Sequence, residues 1–209
     1  MVEAVRTGDK GHSVETRKNQ KQIIVICGPE GSGKSTQANL LAEKLYLSRI
    51  SMGDVYRELG KSDNELGRRS RELFEKHTYS DIGLFSEAFK WRMSKGDVKG
   101  GFVIDGGFRF QQEVEEFENL LKETIGLMPI KVVYLRIPGW KSAERLFKRG
   151  RSDDTQEGIL GRLTNHYNGL GKRMSLAENK WPFFLIPVDD KKEEEIHREI
   201  IEKLTESKK

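Results

Sequence analysis

The sequence predicts a three-layer α/β/α fold built on a five-stranded parallel sheet. Two observations carry that prediction. Short apolar segments alternate with helical patterns along most of the chain, which indicates parallel strands covered by helices on both faces. A glycine-rich loop, Gly28-Pro29-Glu30-Gly31-Ser32-Gly33-Lys34-Ser35-Thr36, stands between the first apolar segment and the first helical pattern. The length of 209 residues suits one such domain with a substantial core.

Residues 1–20 are polar, of mixed charge and poor in large apolar side chains, so a flexible N-terminal extension is expected there, with the domain running over 21–209. The first strand is expected at Ile23–Cys27 and the helix after the loop at Gln37–Tyr46, with Leu40, Leu41 and Leu45 on one face. A short second strand follows at Arg49–Ser51, a third at Phe102–Asp105 between glycine pairs, a fourth at Lys131–Ile137 before Pro138-Gly139, and a fifth at Phe183–Ile186 between Pro182 and Pro187. Helical patterns fill the intervals at Asp54–Leu59, Asp63–Lys76, Ile82–Lys95, Gln111–Thr124, Lys141–Lys148, Thr155 to about Glu178, and Lys191–Leu204. The long interval between the second and third strands reads as a helical insertion.

The loop fits the phosphate-binding pattern G-x-x-x-x-G-K-[ST] through Gly28, Gly33, Lys34 and Ser35. Its inward-facing amides meet phosphate oxygens at a helix N-terminus. Lys34 is placed to reach the β- and γ-phosphates and the Ser35 hydroxyl to ligate Mg²⁺. A nucleoside triphosphate is therefore the expected ligand. Asp105, at the end of the third strand, is the candidate second group for the metal's shell.

The remaining composition narrows the class. The formal net charge is +4, but basic and acidic residues are interleaved, and the cluster Arg68, Arg69, Arg71 has Glu65 and Glu72 beside it. A solvated helix face explains that pattern better than a nucleic-acid surface, so no specific nucleic-acid partner is expected. The single cysteine, Cys27, excludes an internal disulfide, reads as a core residue and fits a reducing compartment, so a cytoplasmic location is expected. The four histidines, His12, His77, His166 and His197, show no metal-ligand spacing. No apolar run reaches the length of a membrane span, and the N-terminus lacks the apolar stretch of a secretory signal.

The arginines say more. Arg145 and Arg149 lie one helical turn apart after the fourth strand, Arg151 follows, and Arg162 lies on the next helix. Arg57 and Arg109 are expected on separate loops after the second and third strands. All six stand near carboxyl ends of strands, where ligands of open α/β sheets gather. Guanidinium groups match phosphate oxygens in bidentate fashion, so the set points to transfer between two phosphorylated substrates.

At these residues the chain resembles the adenylate kinase (nucleoside monophosphate kinase) family, over roughly Gln22 to Leu163. Gly28–Gln37 is similar to the family's ATP loop, and Ser51-Met52-Gly53-Asp54-Val55-Tyr56-Arg57 to its acceptor entry, S-T-G-D-x-x-R. Glu65-Leu66-Gly67 fits its acceptor-binding arm. Gly101-Phe102-Val103-Ile104-Asp105-Gly106-Gly107-Phe108-Arg109 resembles G-F-x-x-D-G-F-P-R, and Glu144–Arg149, Arg151–Asp154 and Arg162-Leu163 resemble the borders of its lid.

The resemblance implies a helical arm at about 52–82 that binds the nucleoside monophosphate (NMP) and a short lid at about 149–154, without a zinc-bearing insertion. It implies ATP and Mg²⁺ as co-substrate and metal, and a monomer. By the same implication Gly28, Gly31, Ser32, Gly33, Lys34, Ser35, Thr36, Arg145 and Arg149 hold ATP, with Arg145 packed on the adenine. Ser51, Met52, Arg57, Gly106, Arg109, Gln112, Arg151 and Arg162 serve the acceptor. Lys34, Arg109, Arg149, Arg151 and Arg162 carry catalysis, and Ser35 and Asp105 serve the metal.

This sequence departs from the pattern at Met52, where the family has Thr, and at Gly107-Phe108 in place of Phe-Pro. Glu113 stands where the family has Gln, His77 stands at a usual Gly, and His166–Gly171 lacks the usual Thr and Pro. The phosphate-handling positions are kept while the base-reading ones are altered. The implied reaction is transfer of the γ-phosphoryl group of ATP to a monophosphate, with AMP the default acceptor. The alternatives are a kinase for another monophosphate (CMP, UMP or a deoxynucleotide), or a nucleotide-binding regulatory protein with weak or lost transfer.

Overall fold

In the computed structural model, residues 21–76, 80–150 and 154–206 are described. The expected N-terminal extension at 1–20, His77, and residues 151–153 of the expected lid, Arg151 among them, fall outside them.

Five strands form one parallel sheet: β1 (Gln22–Cys27), β2 (Ser48–Ser51), β3 (Gly101–Asp105), β4 (Ile130–Arg136) and β5 (Phe183–Pro187). Their order across the sheet is β2-β3-β1-β4-β5. β1 is central, with Ile26 opposite Asp105 of β3 and Cys27 opposite Tyr134 of β4. Period-two alternation divides its side chains between the two layers. Ile23 and Val25 enter one core with Phe102, Phe117 and Phe89, and Ile24 and Ile26 enter the other with Leu41, Val133 and Ile200. Burial on both faces explains why β1 reads as an unbroken apolar run.

The helices are α1 (Lys34–Leu45), α2 (Met52–Leu59), α3 (Glu65–Glu75), α4 (Ile82–Met93), α5 (Gln111–Thr124), α6 (Gly139–Arg149), α7 (Gln156–Tyr167), α8 (Leu170–Lys180) and α9 (Glu193–Thr205). Side-chain caps start several of them. Asn64 Oδ1 accepts from the Gly67 amide at 2.8 Å, Asp81 Oδ1 from Leu84 at 2.8 Å, and Thr155 Oγ1 from Gly158 at 3.1 Å.

Two expectations change. The helix expected from Thr155 to about Glu178 is two helices, broken at Asn168-Gly169. Gly169 sits at φ 65° and starts α8, a conformation in which a side chain would be strained. The apolar period alone could not show this, because α7 and α8 each keep it. Arg57 lies on α2 rather than in a loop, since Ser51 accepts from the Asp54 amide and starts that helix directly from β2. No helix among the described residues is long and apolar enough to cross a membrane.

Candidate active site

The carboxyl ends of β1, β2, β3 and β4 open onto one cleft of about 960 Å³. β1 delivers the glycine loop, β2 delivers Ser51 and α2, β3 delivers Gly106–Arg109, and β4 leads to α6.

Gly28 and Gly31 of the loop are required by contact as well as conformation. Gly28 sits at φ 145°, and a Cβ there would lie 2.6 Å from the Leu135 carbonyl oxygen. Gly31, at φ 82°, would place one 2.8 Å from the Ser142 carbonyl. α6 packs that closely, and the Ser142 hydroxyl donates to the Glu30 carbonyl. Lys34 opens α1 and donates to the Pro29 carbonyl at 2.8 Å. Burial lowers the Lys34 pKa, with Arg109 adding to that, while Asp105 and Glu30 oppose it.

Every expected arginine within the described residues lines this cleft: Arg57, Arg109, Arg145, Arg149 and Arg162. Carboxylates and carbonyls hold them. Asp154, almost fully buried, receives Arg149 Nη2 at 2.7 Å and Nε at 2.9 Å, and Arg162 Nη2 at 2.8 Å. Arg162 Nε also lies 2.8 Å from Glu30 Oε2. Arg145 ties the loop to the segment after β5, with Nη2 donating to Val188 O at 2.9 Å and Nη1 to Gly31 O at 3.3 Å. Arg57 pairs with Asp54 at 2.7 Å and lies over the Phe74 ring. Asp154 and Glu30 thus restrain the guanidinium groups of Arg149 and Arg162, while the Arg57–Asp54 pair is exposed.

Arg109 stands on a strained turn. Phe108 adopts φ 59°, uncommon for a bulky residue. Its ring stacks on Trp181 at 5.3 Å and meets Phe117 edge-on at 5.2 Å, which holds the turn. Below it Glu113, 1% exposed, accepts from the Arg109 amide at 2.8 Å through Oε2, and its Oε1 has no hydrogen-bond partner among the described residues. The Gly107-Phe108 departure therefore has a packing reason.

Burial raises the Glu113 carboxyl to about 7, against the pull of the Arg109 and Phe108 amides. The folded state then binds more protons than the unfolded chain from about 4.5 up to about 7, so stability falls as pH rises through that window. Glu113→Gln is expected to flatten this dependence and to add on the order of 2–3 kcal/mol above neutrality. Urea unfolding at pH 5 and pH 8 checks it. Cys27 is held as an inert core thiol, pushed up to about 12 chiefly by burial.

The sequence-expected residues do not all meet in the cleft. Gly28, Gly31, Gly33, Lys34, Ser35, Thr36, Ser51, Asp105 and Gly106 line it. Met52 does not: it opens α2 with its side chain buried in the sheet core, 1% exposed. Gln112 lies on the exposed face of α5, and Glu113 takes the inward position. The Ser32 hydroxyl is fully buried, without a hydrogen-bond partner among the described residues. Asp105 does not stand alone, because Arg49 Nη2 pairs with its Oδ2 at 2.9 Å.

Arg49, Asp154, Glu30, Tyr56, Phe74 and His166 are contributors that sequence reasoning did not place in the site. Asp154 had a legible signal, a carboxylate between two cleft arginines in the chain. Arg49 and His166 had none, since a strand arginine and a helical histidine read as ordinary surface or core.

A loop of this form on the first strand of a parallel sheet, with cations gathered across the cleft, defines a P-loop protein. The family description "AAA domain" matches residues 27–160, from the end of β1 into α7. The chain is 30% identical over 174 residues to adenylate kinase 1 of Nostoc sp., covering 83% of this chain and 94% of that protein. It is 36% identical over 144 residues to the adenylate kinase of Micrococcus luteus, covering 67% and 70%, and 32% identical over 158 residues to that of Mycobacteroides abscessus, covering 75% and 86%. This chain belongs to the adenylate kinase family.

Proposed function

We propose that the chain transfers the γ-phosphoryl group of ATP to a nucleoside monophosphate, with AMP as the default acceptor. One observation carries the reading: a single cleft holds the phosphate loop on one side and Ser51, Arg57 and Arg109 on the other, with Arg149 and Arg162 at its wall. A site for one nucleotide needs no second anion-binding pocket beside the first.

The nucleophile is a phosphate oxygen of the acceptor, already anionic at neutral pH, so no general base is required. Catalysis reduces to holding donor and acceptor in line and compensating charge in the transition state. Lys34 and the loop amides take the β- and γ-phosphates of ATP. Arg57 and Arg109 take the acceptor phosphate. Arg149 and Arg162, oriented by Asp154 and Glu30, face the transferring group. Arg151 is assigned to the same role by the resemblance.

The donor set fits a magnesium ion carried in by the nucleotide. The protein offers the Ser35 hydroxyl and the free oxygen of Asp105, and no group of three or more metal-binding side chains occurs among the described residues. Bound there, the ion would offset phosphate charge.

A specific observation keeps a different acceptor base in view. Met52 is buried in the core, and Glu113, in place of the family's amide, is an acceptor-only group when ionised. A coupled assay with ATP and AMP, CMP, UMP, GMP or dTMP decides between these readings. ATP consumption stimulated at least about a hundredfold by one monophosphate is expected. Slow hydrolysis indifferent to every acceptor would instead favour a nucleotide-binding regulator.

A further inference from the structure

His166 belongs to no part of the scheme above, yet it lines the same cleft as Lys34, Arg109 and Arg162. Its placement is over-determined. It sits one turn after Arg162 on α7, where buried Arg173 of α8 donates to the carbonyls of His166 and Asn168 and holds the break between the helices. The imidazole stacks on Tyr134 of β4 with 14° between the rings and meets Tyr167 edge-on. Nε2 lies 3.2 Å from the Tyr134 hydroxyl. Nδ1 has no hydrogen-bond partner among the described residues and is not closed off from solvent.

We propose that His166 is a conditional phosphate ligand: neutral in the free protein, it takes up one proton from solvent when nucleotide phosphates occupy the cleft and donates from Nδ1 to a phosphate oxygen. The inference rests on the reading of the cleft as a nucleotide site and adds a fresh cation to it. In the free protein the histidine is packed among tyrosines and lies within reach of three cations, Lys34 of α1, Arg173 of α8 and Arg109 after β3. Burial first, then those cations, lowers its pKa to about 3.

Binding reverses the balance. Two nucleotides bring several negative charges into a cleft whose cations are already partly offset by Asp154, Glu30, Asp54 and Asp105. The Tyr134 hydroxyl can serve both states, donating to the lone pair of Nε2 in the Nδ1–H tautomer of the neutral ring and accepting from Nε2–H in the charged one. In that tautomer Nδ1–H donates before and after protonation, so the added proton changes the charge of the contact without changing its geometry.

The test is site-resolved. In ¹⁵N-labelled full-length protein, long-range ¹H–¹⁵N spectra report the protonation of each histidine ring. His166→Asn, which keeps a neutral donor near the Nδ1 position, assigns the His166 signals. In the free protein His166 is expected to remain neutral from pH 5 to pH 8. With saturating ADP its midpoint is expected to rise from about 3 to above about 6. His166 signals that stay neutral at pH 6, while the amides of Gly33 and Lys34 report full occupancy, overturn the proposal. Absence of any ADP-induced change at those amides overturns the nucleotide-site reading instead, and the proposal with it. A second readout needs no assignment. ADP binding measured calorimetrically at pH 6 in two buffers of different ionisation enthalpy is expected to show about half a proton or more taken up by the unaltered protein in excess of His166→Asn. Equal uptake by the two counts against the proposal.

Discussion

Lys34→Met is expected to lower phosphoryl transfer by at least about 10³-fold and to leave the fold intact. Lys34 is held for a ligand rather than for the fold. Its side chain is partly buried at the cleft wall, its protein hydrogen bond is to the Pro29 carbonyl, and burial lowers its pKa. The acids that act on it, Asp105 and Glu30, have their own partners in Arg49 and Arg162. Removing the ammonium therefore relieves a desolvation cost without leaving a buried carboxylate unpaired, and methionine fills the same stem volume. The expected change in stability is within about 1 kcal/mol. The transition state, by contrast, is expected to lose a positive group assigned to the β- and γ-phosphates. Coupled kinetics with a parallel thermal melt measures both quantities. Turnover within tenfold of the unaltered protein in a folded Lys34→Met variant would refute the assignment.

Arg109→Ala is expected to reduce kcat/KM for the acceptor by about 10³–10⁵-fold while the KM for ATP changes little. Its main chain is fixed by groups the substitution does not touch. Glu113 accepts from the Arg109 backbone amide, and Phe108 is gripped by Trp181 and Phe117. The turn survives, and only the guanidinium beside Gly106 is lost. Arg109→Lys recovers a minor part of the rate, because a point charge does not reproduce a planar two-pronged contact with phosphate. Initial rates over a matrix of ATP and acceptor concentrations separate the two substrates. An equal rise in both KM values with unchanged kcat would mean that Arg109 only shapes the cleft.

How legible this site was depended on the range over which each residue acts. The loop was readable because its chemistry is local. Glycine spacing, lysine and hydroxyl occupy consecutive positions, and a strand and a helix must flank them. The five strands are legible within a residue or so at each end, β1, β3 and β4 because burial on both faces writes nearly continuous apolar runs. The gathering of Arg57, Arg109, Arg145, Arg149 and Arg162 was inferred from their places near strand ends, and the structure brings them to one cleft. Met52 and Gln112 were misplaced for a shared reason. Neighbours on a helix differ by about 100° in direction, so one residue decides which side chain faces inward, and only packing shows that it is Glu113 rather than Gln112. The break at Asn168-Gly169 escaped notice because a single left-handed glycine interrupts a helix without disturbing the apolar period around it.

The sequence by itself determined the parallel α/β architecture, the phosphate loop and the stock of cations, because each follows from residue type and spacing along the chain. Only the tertiary structure decided which acids restrain those cations, why Arg109 rides on a strained turn above a buried Glu113, and that His166 joins the cleft. The reason is physical. Burial and charge pairing are properties of neighbours in space, and Glu30 meets Arg162 and Asp105 meets Arg49 across long stretches of chain whose spacing carries no trace of the contact.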